Sequence, residues 1–99
     1  MQLRTIRNIR VPMDALAPLG LDRLGKGAVG RITGFEELET GQAAGLVAKL
    51  REIGFAEGDE VELLGRGWLG GAPLSIRLNR TVIALRVREA SLIRVELLS

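Results

Sequence analysis

The chain has 99 residues, of which 46% are hydrophobic and 26% are charged, and its formal net charge at pH 7 is +2. This length and composition are those of one globular domain. The chain contains no cysteine and no histidine, which excludes zinc sites built from thiolate or imidazole, thiol redox chemistry and Ser-His triads. Its apolar runs are all shorter than the roughly 20 residues that span a bilayer, so we expect no direct membrane span.

The first twelve residues differ from the rest of the chain in charge. They contain three basic side chains and no acid, namely Arg4, Arg7 and Arg10. We expect residues 1–12 to form a solvated basic extension and residues 13–99 to form a single domain. The alternative for the extension is a weak contact with an anionic membrane, since Leu3, Ile6 and Ile9 repeat at every third position.

The first long elements predicted in chain order are a strand and a helix. Residues 21–27 predict a short lead-in and turn, and residues 28–36 predict a strand in which Gly30 tolerates a bend or bulge. Thr40 is a suitable N-cap for a helix over residues 41–53. The helix is indicated by apolar residues at a 3.6-residue period, namely Ala43, Leu46, Val47, Leu50 and Ile53.

The segment LREIGFAEG, residues 50–58, predicts how this helix ends. Gly54 stands where a helix favours a left-handed residue, which makes Leu50 and Phe55 the two positions that usually touch in a Schellman ending. Gly58 is available for positive φ in the turn that follows. The chain should therefore fold back over the last turn of the helix before the next strand begins.

Alternating apolar residues predict four more strands after this turn. They cover residues 60–64, 74–78, 81–87 and 92–97. The glycine-rich residues 65–73 predict a loop, Asn79 and Arg80 a two-residue turn, and residues 88–91 a short turn. The prediction is a mainly β protein with one helix, a small closed barrel of five strands with the helix between the first and second.

The sequence contains no motif that indicates catalysis. The glycines of GRGWLGG are followed by a proline and a strand, whereas a phosphate loop needs a strand before it and a helix after it. Four acids lie close together after the helix, namely Glu57, Asp59, Glu60 and Glu62. The strand period directs Glu60 and Glu62 to solvent, so a solvated charged face is favoured over a divalent-metal site.

Four strand arginines raise the alternative of a nucleic-acid-binding module, namely Arg77, Arg86, Arg88 and Arg94. Such sites usually combine a basic groove with stacking aromatics, and here the three aromatics lie far apart in sequence. We favour the arginines as cross-strand partners of Glu62, Glu89 and Glu96.

The glycine-rich loop carries the best candidates for contact with another protein. They are Arg66, Trp68 and Leu69. A tryptophan at a loop tip either folds back over the core or stays exposed as an interface anchor. The contact could be made with a partner protein or with a second copy of the chain, as in a homo-oligomeric scaffold.

The ordered segments LREIGFAEGDEVELL, APLSIRL and TVIALRVREASLIRV resemble the ferrous-iron transport protein A (FeoA) family. The signature positions are Gly54, Phe55, Gly58, Ala84, Arg86 and Glu89. The resemblance covers about residues 15–97, but the family often has a glycine where Asn79 and Arg80 stand here. The connector EELETGQAAG is also longer than a minimal one, and the arginine extension has no counterpart in the family pattern.

The resemblance implies an SH3-like barrel in the bacterial cytoplasm. It would be an accessory to the membrane ferrous-iron transporter FeoB, which has a cytoplasmic G-protein domain and would recruit it to the inner membrane. Family members are thought to regulate or scaffold that transporter, so the chain would be no enzyme and would need no cofactor. Because the chain lacks His and Cys, we do not expect tight Fe(II) binding by this chain alone.

Overall fold

The structure, a computed structural model, describes residues 19–36, 41–68 and 71–99. The elements are β1 (Leu19–Gly20), a 3-10 turn (Leu21–Arg23), β2 (Val29–Phe35), α1 (Gly41–Ile53), β3 (Glu60–Gly67), β4 (Gly71–Leu78), β5 (Thr81–Leu85), α2 (Val87–Ala90) and β6 (Ile93–Leu97). The strands form one antiparallel sheet in the order β1-β6-β2-β3-β4-β5. The predicted class, mainly β with one main helix, is confirmed.

The sheet differs from the predicted five-stranded barrel in two respects. A sixth strand, β1, pairs Leu19 with Val95 and Gly20 with Arg94 of β6. Two residues cannot show an alternating pattern, so this strand exists only through its pairing. In addition, β1 and β5 lie at opposite ends of the strand order, so the described sheet is not closed.

The core is aliphatic apart from one phenylalanine. Alternate residues of β3 and β4 point into it as predicted, with Val61, Leu63, Leu74, Ile76 and Leu78 all buried. The bounds of α1 match the prediction, and its stripe inserts Leu50 beside Phe55. Leu97 departs from the pattern because its side chain, at the end of β6, is 57% exposed.

The end of α1 is a Schellman motif, as predicted. Gly54 has φ +130°, and its N–H lies 3.1 Å from the Arg51 carbonyl oxygen. The N–H of Phe55 donates to the Leu50 carbonyl oxygen at 3.2 Å. Leu50 and Phe55 are each only 1% exposed, so the glycine brings two large apolar side chains into the core together. Gly58 has φ +94° in the next turn, also as predicted.

The glycine-rich stretch is not the long loop that the sequence predicted. Strand β3 continues to Gly67 and β4 begins at Gly71, and these two residues pair. A Cβ on Gly67 would lie 2.1 Å from the carbonyl oxygen of Ala72. Glycine here permits close approach of two strands, which composition alone does not distinguish from a loop.

The segment after β5 is the second correction. The predicted strand reached Val87 and was followed by a turn over residues 88–91, but β5 ends at Leu85 and α2 begins at Val87. The carboxylate of Glu89 accepts a hydrogen bond from the backbone N–H of Arg86 at 3.0 Å. This is half of a capping box, which starts a helical turn. Ala90 is then fully buried.

Some predictions fall outside the described residues. They concern the basic extension over residues 1–12, the N-cap Thr40 and the contact residue Leu69.

Candidate functional site

The main candidate site is a groove between helix α1 and the end of strand β5. Its volume is about 490 Å³. It is lined by Leu46, Lys49, Ile53, Pro73, Ala84, Leu85, Arg86 and Glu89. We call it the helix–strand groove. Its lining is largely apolar, with one lysine, one arginine and one glutamate, the composition expected of a small recognition site.

The wall of this groove is the edge of α1 beside Leu50, where Leu46 also packs partly against the core. Leu46, Lys49 and Ile53 recur at i, i+3 and i+7 and therefore share one side of the helix. Ile53 is 43% exposed, although the sequence pattern placed it on the same stripe as Leu50. The Schellman ending fixes the last turn of the helix, so Ile53 is held at the groove rather than in the core.

The other side of the groove is built by signature residues of the sequence motif. Ala84 lies on β5, Arg86 is the N-cap of α2, and Glu89 holds that cap through the Arg86 N–H. The α2 turn therefore sets where β5 ends and where the Arg86 and Glu89 side chains enter the groove. The sequence marked these three residues as a signature, but nothing in their spacing indicated that they face α1.

Trp68, at the tip of the β3–β4 hairpin, is 89% exposed. Of the two arrangements considered for it, the structure has the open one. A side chain of this size in water is a candidate interface anchor, and its contact role stays a prediction.

Arg66, predicted as a contact residue beside Trp68, is tied to the protein itself. Its guanidinium donates to the carbonyl oxygen of Asp22, and also to that of Leu24 at 2.9 Å. These bonds join β3 to the 3-10 turn. The geometry gives Arg66 a part in positioning the hairpin that carries Trp68, and its role in partner contact also stays a prediction.

A second groove, of about 430 Å³, lies over strands β2 to β4. It is lined by Val29, Gly58, Asp59, Glu60, Val61, Glu62, Arg77 and Asn79; we call it the acidic groove. Within the described part of the chain, no three His, Cys, Asp or Glu side chains are grouped to hold a metal ion. A carboxylate oxygen of Glu62 lies 3.6 Å from the Arg77 Nε atom, and a carboxylate oxygen of Glu60 lies 3.8 Å from a guanidinium nitrogen of Arg31.

Two of the four predicted strand arginines, Arg77 and Arg94, form ion pairs, whereas Arg86 and Arg88 pair with no acid of the described residues. Arg77 pairs with Glu62 as predicted. Glu96 pairs with Arg31 at 3.2 Å, and Arg94 pairs with Glu36 across the β2–β6 region. Ion pairs of this kind reduce the positive potential that nucleic-acid binding depends on, so they disfavour the nucleic-acid alternative.

A third cluster fastens the end of α1 on the outside. The Arg51 guanidinium makes two hydrogen bonds to the Glu57 carboxylate, at 3.1 and 3.0 Å, and stacks 4.2 Å from the Phe35 ring centre. The side-chain hydrogen bonds are the main reason why the pKa of Arg51 is raised and the pKa of Glu57 is lowered.

The described helices include none that is long and apolar enough to cross a membrane.

Fold and sites together define a small, mainly β domain of the SH3-like class. The sequence model of the FeoA domain matches residues 19–97. The chain belongs to the FeoA family.

Solved structures agree with this assignment. A Stenotrophomonas maltophilia FeoA, complexed with zinc, is 32% identical, with a TM-score of 0.64 over 76% of this chain and 86% of that one. It is described as an SH3 domain protein and proposed as a bacterial ferrous-iron transport activating factor. Iron(II) transport protein A from Clostridium thermocellum is 36% identical, with a TM-score of 0.68 over 81% of this chain and 46% of that one.

A FeoA-like protein from Clostridium acetobutylicum has a TM-score of 0.72, covering 84% of this chain and 90% of that one. At 24% identity it supports the fold alone. Among curated proteins, no sequence matches this chain.

Proposed function

We propose that this chain is a non-enzymatic accessory protein of bacterial ferrous-iron uptake. It docks on the cytoplasmic portion of a FeoB-type membrane transporter and is recruited to the inner membrane by that partner. Membership of the FeoA family supports the link to ferrous iron. The S. maltophilia relative, proposed as a transport activating factor, supports a regulatory role.

The observation that carries the proposal is the helix–strand groove. Three residues of the family signature, Ala84, Arg86 and Glu89, line it together with α1. They lie at a surface that can be contacted from outside, and the described residues offer no clustered donor set for iron. Surface contact therefore explains these residues better than iron carriage does.

Trp68 provides a second contact in this proposal. It follows Arg66, which fastens strand β3 to the 3-10 turn, so the strand that leads to it is anchored before binding. An anchored backbone has less conformational entropy to lose on docking. We assign Trp68 the role of an anchor on the partner.

Binding of the purified transporter's cytoplasmic portion, measured by calorimetry with and without guanine nucleotide, tests the proposal. We expect saturable binding, and Trp68→Ala should weaken it by a factor of about 30, as for a hot-spot aromatic. Leu97→Ala, which also trims an exposed apolar side chain, is the matched control and should bind like the wild type.

Both variants should keep the melting temperature, because neither side chain is buried. If the wild type does not bind in any nucleotide state, the proposed function is wrong. If Trp68→Ala binds as tightly as the wild type, the anchor assignment is wrong while docking stands.

A further inference from the structure

Among the strands that the structure describes, β5 is an open edge of the sheet. It pairs with β4 on one side and ends the strand order on the other. Thr81–Leu85 contains no charge and no proline, and its pairing with β4 has no bulge. Edge strands are usually protected by charged residues, prolines or bulges, and β5 has none of these. This strand is therefore suited to accept another strand.

The register shows which backbone groups are unpaired. Leu78 and Thr81 flank a two-residue turn and pair with each other, a position where both hydrogen bonds run between the two strands. Bonded and non-bonded pairs alternate along the ladder, so Ile83 and Leu85 also bond to β4. Val82 and Ala84 then direct their N–H and C=O groups to the outer edge, where no described backbone group bonds them.

This edge opens beside the helix–strand groove. Ala84 has an outward backbone and also lines the groove with Ile53 and Leu46 of α1. An extended segment that bonds to the edge therefore finds apolar surface for its side chains on one face. A strand edge beside a helix is the geometry of β-strand addition, in which the main chain supplies affinity and alternate side chains supply specificity.

The charges of the groove favour an acidic occupant. Lys49 and Arg86 both line it, and neither forms an ion pair with any acid of the described residues. The carboxylate of Glu89 already accepts the Arg86 N–H. The groove thus presents two cations against one hydrogen-bonded acid, which complements a carboxylate on the incoming segment.

The arginines that flank β5 disfavour a second copy of this chain in the register that pairs Val82 with Ala84. If two β5 strands paired with Val82 opposite Ala84, the antiparallel register would put Arg80 of each chain opposite Arg86 of the other. Like charges directly opposite each other destabilise strand pairing. A partner protein with acidic residues meets no such repulsion.

We propose that the helix–strand groove binds an extended segment of the partner protein, which adds as a strand to β5 at Val82 and Ala84. The segment has alternating apolar residues and an acidic side chain that pairs with Lys49 and Arg86. This inference rests on the proposed function, because the segment belongs to the transporter's cytoplasmic portion.

Amide hydrogen exchange tests strand addition directly. In the free protein, the amides of Val82 and Ala84 should exchange rapidly, and those of Ile83 and Leu85 slowly because they bond to β4. On binding the intact cytoplasmic portion, or an overlapping peptide of it that binds, exchange at Val82 and Ala84 should slow by at least about tenfold, the factor for one hydrogen bond. Ile83 and Leu85 are the internal control.

Ala84→Pro removes the outward donor without removing a bond to β4, since proline is tolerated where an edge N–H faces solvent. We expect about tenfold weaker binding. Ala84→Ser keeps the donor at nearly the same size and should therefore weaken binding less than Ala84→Pro does. Far-UV circular dichroism of both variants shows whether the fold is retained, and the exchange experiment needs no variant.

Lys49→Glu tests the charge part. Reversal should weaken binding by about tenfold or more at low salt and reduce its salt dependence. Lys26→Glu makes the same chemical change at an exposed turn that does not line the groove and should have little effect.

The outcomes separate this inference from the proposed function. If the wild type binds the cytoplasmic portion but Val82 and Ala84 keep their fast exchange, strand addition is overturned and docking stands. If their protection instead rises with the concentration of this chain alone, the occupant is a second copy and the inference is overturned. Absence of any binding by the wild type overturns both.

Discussion

Helix α1 has two sides that differ in what holds them. On the inner side Leu50 packs with Phe55 in the core, and the Gly54 turn fixes the pair. On the outer side the exposed Lys49 and Ile53, together with the partly buried Leu46 between the two sides, line a groove that no described element fills. One side of the helix is thus packed in the core, and the other is exposed at the groove.

The difference indicates how a small domain keeps a recognition surface in shape. Because the inner side is anchored within one turn of Ile53, the outer side is positioned before any partner arrives. A preformed site loses less conformational entropy on binding. The shape of the groove should therefore depend on the contacts that hold α1 in place, and these contacts differ in how much they stabilise the fold.

The largest expected effect comes from removing the anchor in the core. Phe55→Ala deletes a fully buried ring and should lower the free energy of unfolding by about 3–5 kcal/mol. That is a large share of the roughly 5–15 kcal/mol typical of a domain. Urea unfolding measures it. Ile53→Ala, on the open side, should cost about 1 kcal/mol or less, and equal losses in both variants would contradict the division into two sides.

The next effect comes from the glycine that ends α1. Gly54→Ala meets no close atom, since the nearest is Leu78 Cδ2 at 3.8 Å. The cost arises from φ +130° and should be about 1–2 kcal/mol.

Gly45→Ala is a matched control inside the same helix, where an added Cβ meets nothing within 4 Å. It should stabilise the protein by about 0.5–1 kcal/mol, because alanine favours helix. Chemical denaturation of both variants should therefore give shifts of opposite sign. Shifts of the same sign would show that the positive φ is not what makes Gly54 necessary.

The smallest effect concerns the exposed Arg51–Glu57 pair, the outer fastening of α1. The pKa of Glu57 is lowered from its usual 4.5, mainly by the hydrogen bonds from Arg51. Its contribution to stability is therefore fully present above pH 4.5 and is lost as the pH falls through the lower folded-state pKa.

Melting temperatures across the acid range check this sign. Glu57→Gln should melt slightly below the wild type near neutral pH, and the gap should close in acid. Glu52→Gln, at an exposed helix position without an ion pair among the described residues, should show no such convergence. A gap that widens in acid would mean that the pair does not stabilise the fold.

Much of this architecture follows from local sequence. The period of the apolar residues located α1 within its observed bounds, and Gly54 indicated its ending. Alternation identified the buried faces of β3 and β4, and Asn79, with φ +57°, occupies the predicted turn. These features depend on residues within one or two turns of each other, so a short window carries the information.

Other features were decided only by tertiary contacts. Strand β1 has two residues and exists because β6 pairs with it. Gly67 of β3 proved to be a place of close strand approach. The helix–strand groove brings Leu46 and Glu89 together, and no local periodicity relates positions so far apart.

The sequence by itself determined the helix, the strand faces and the family, because these arise from local preference and burial. Which strand edge stays open, and what lies beside it, was decided by how the sheet and helix pack.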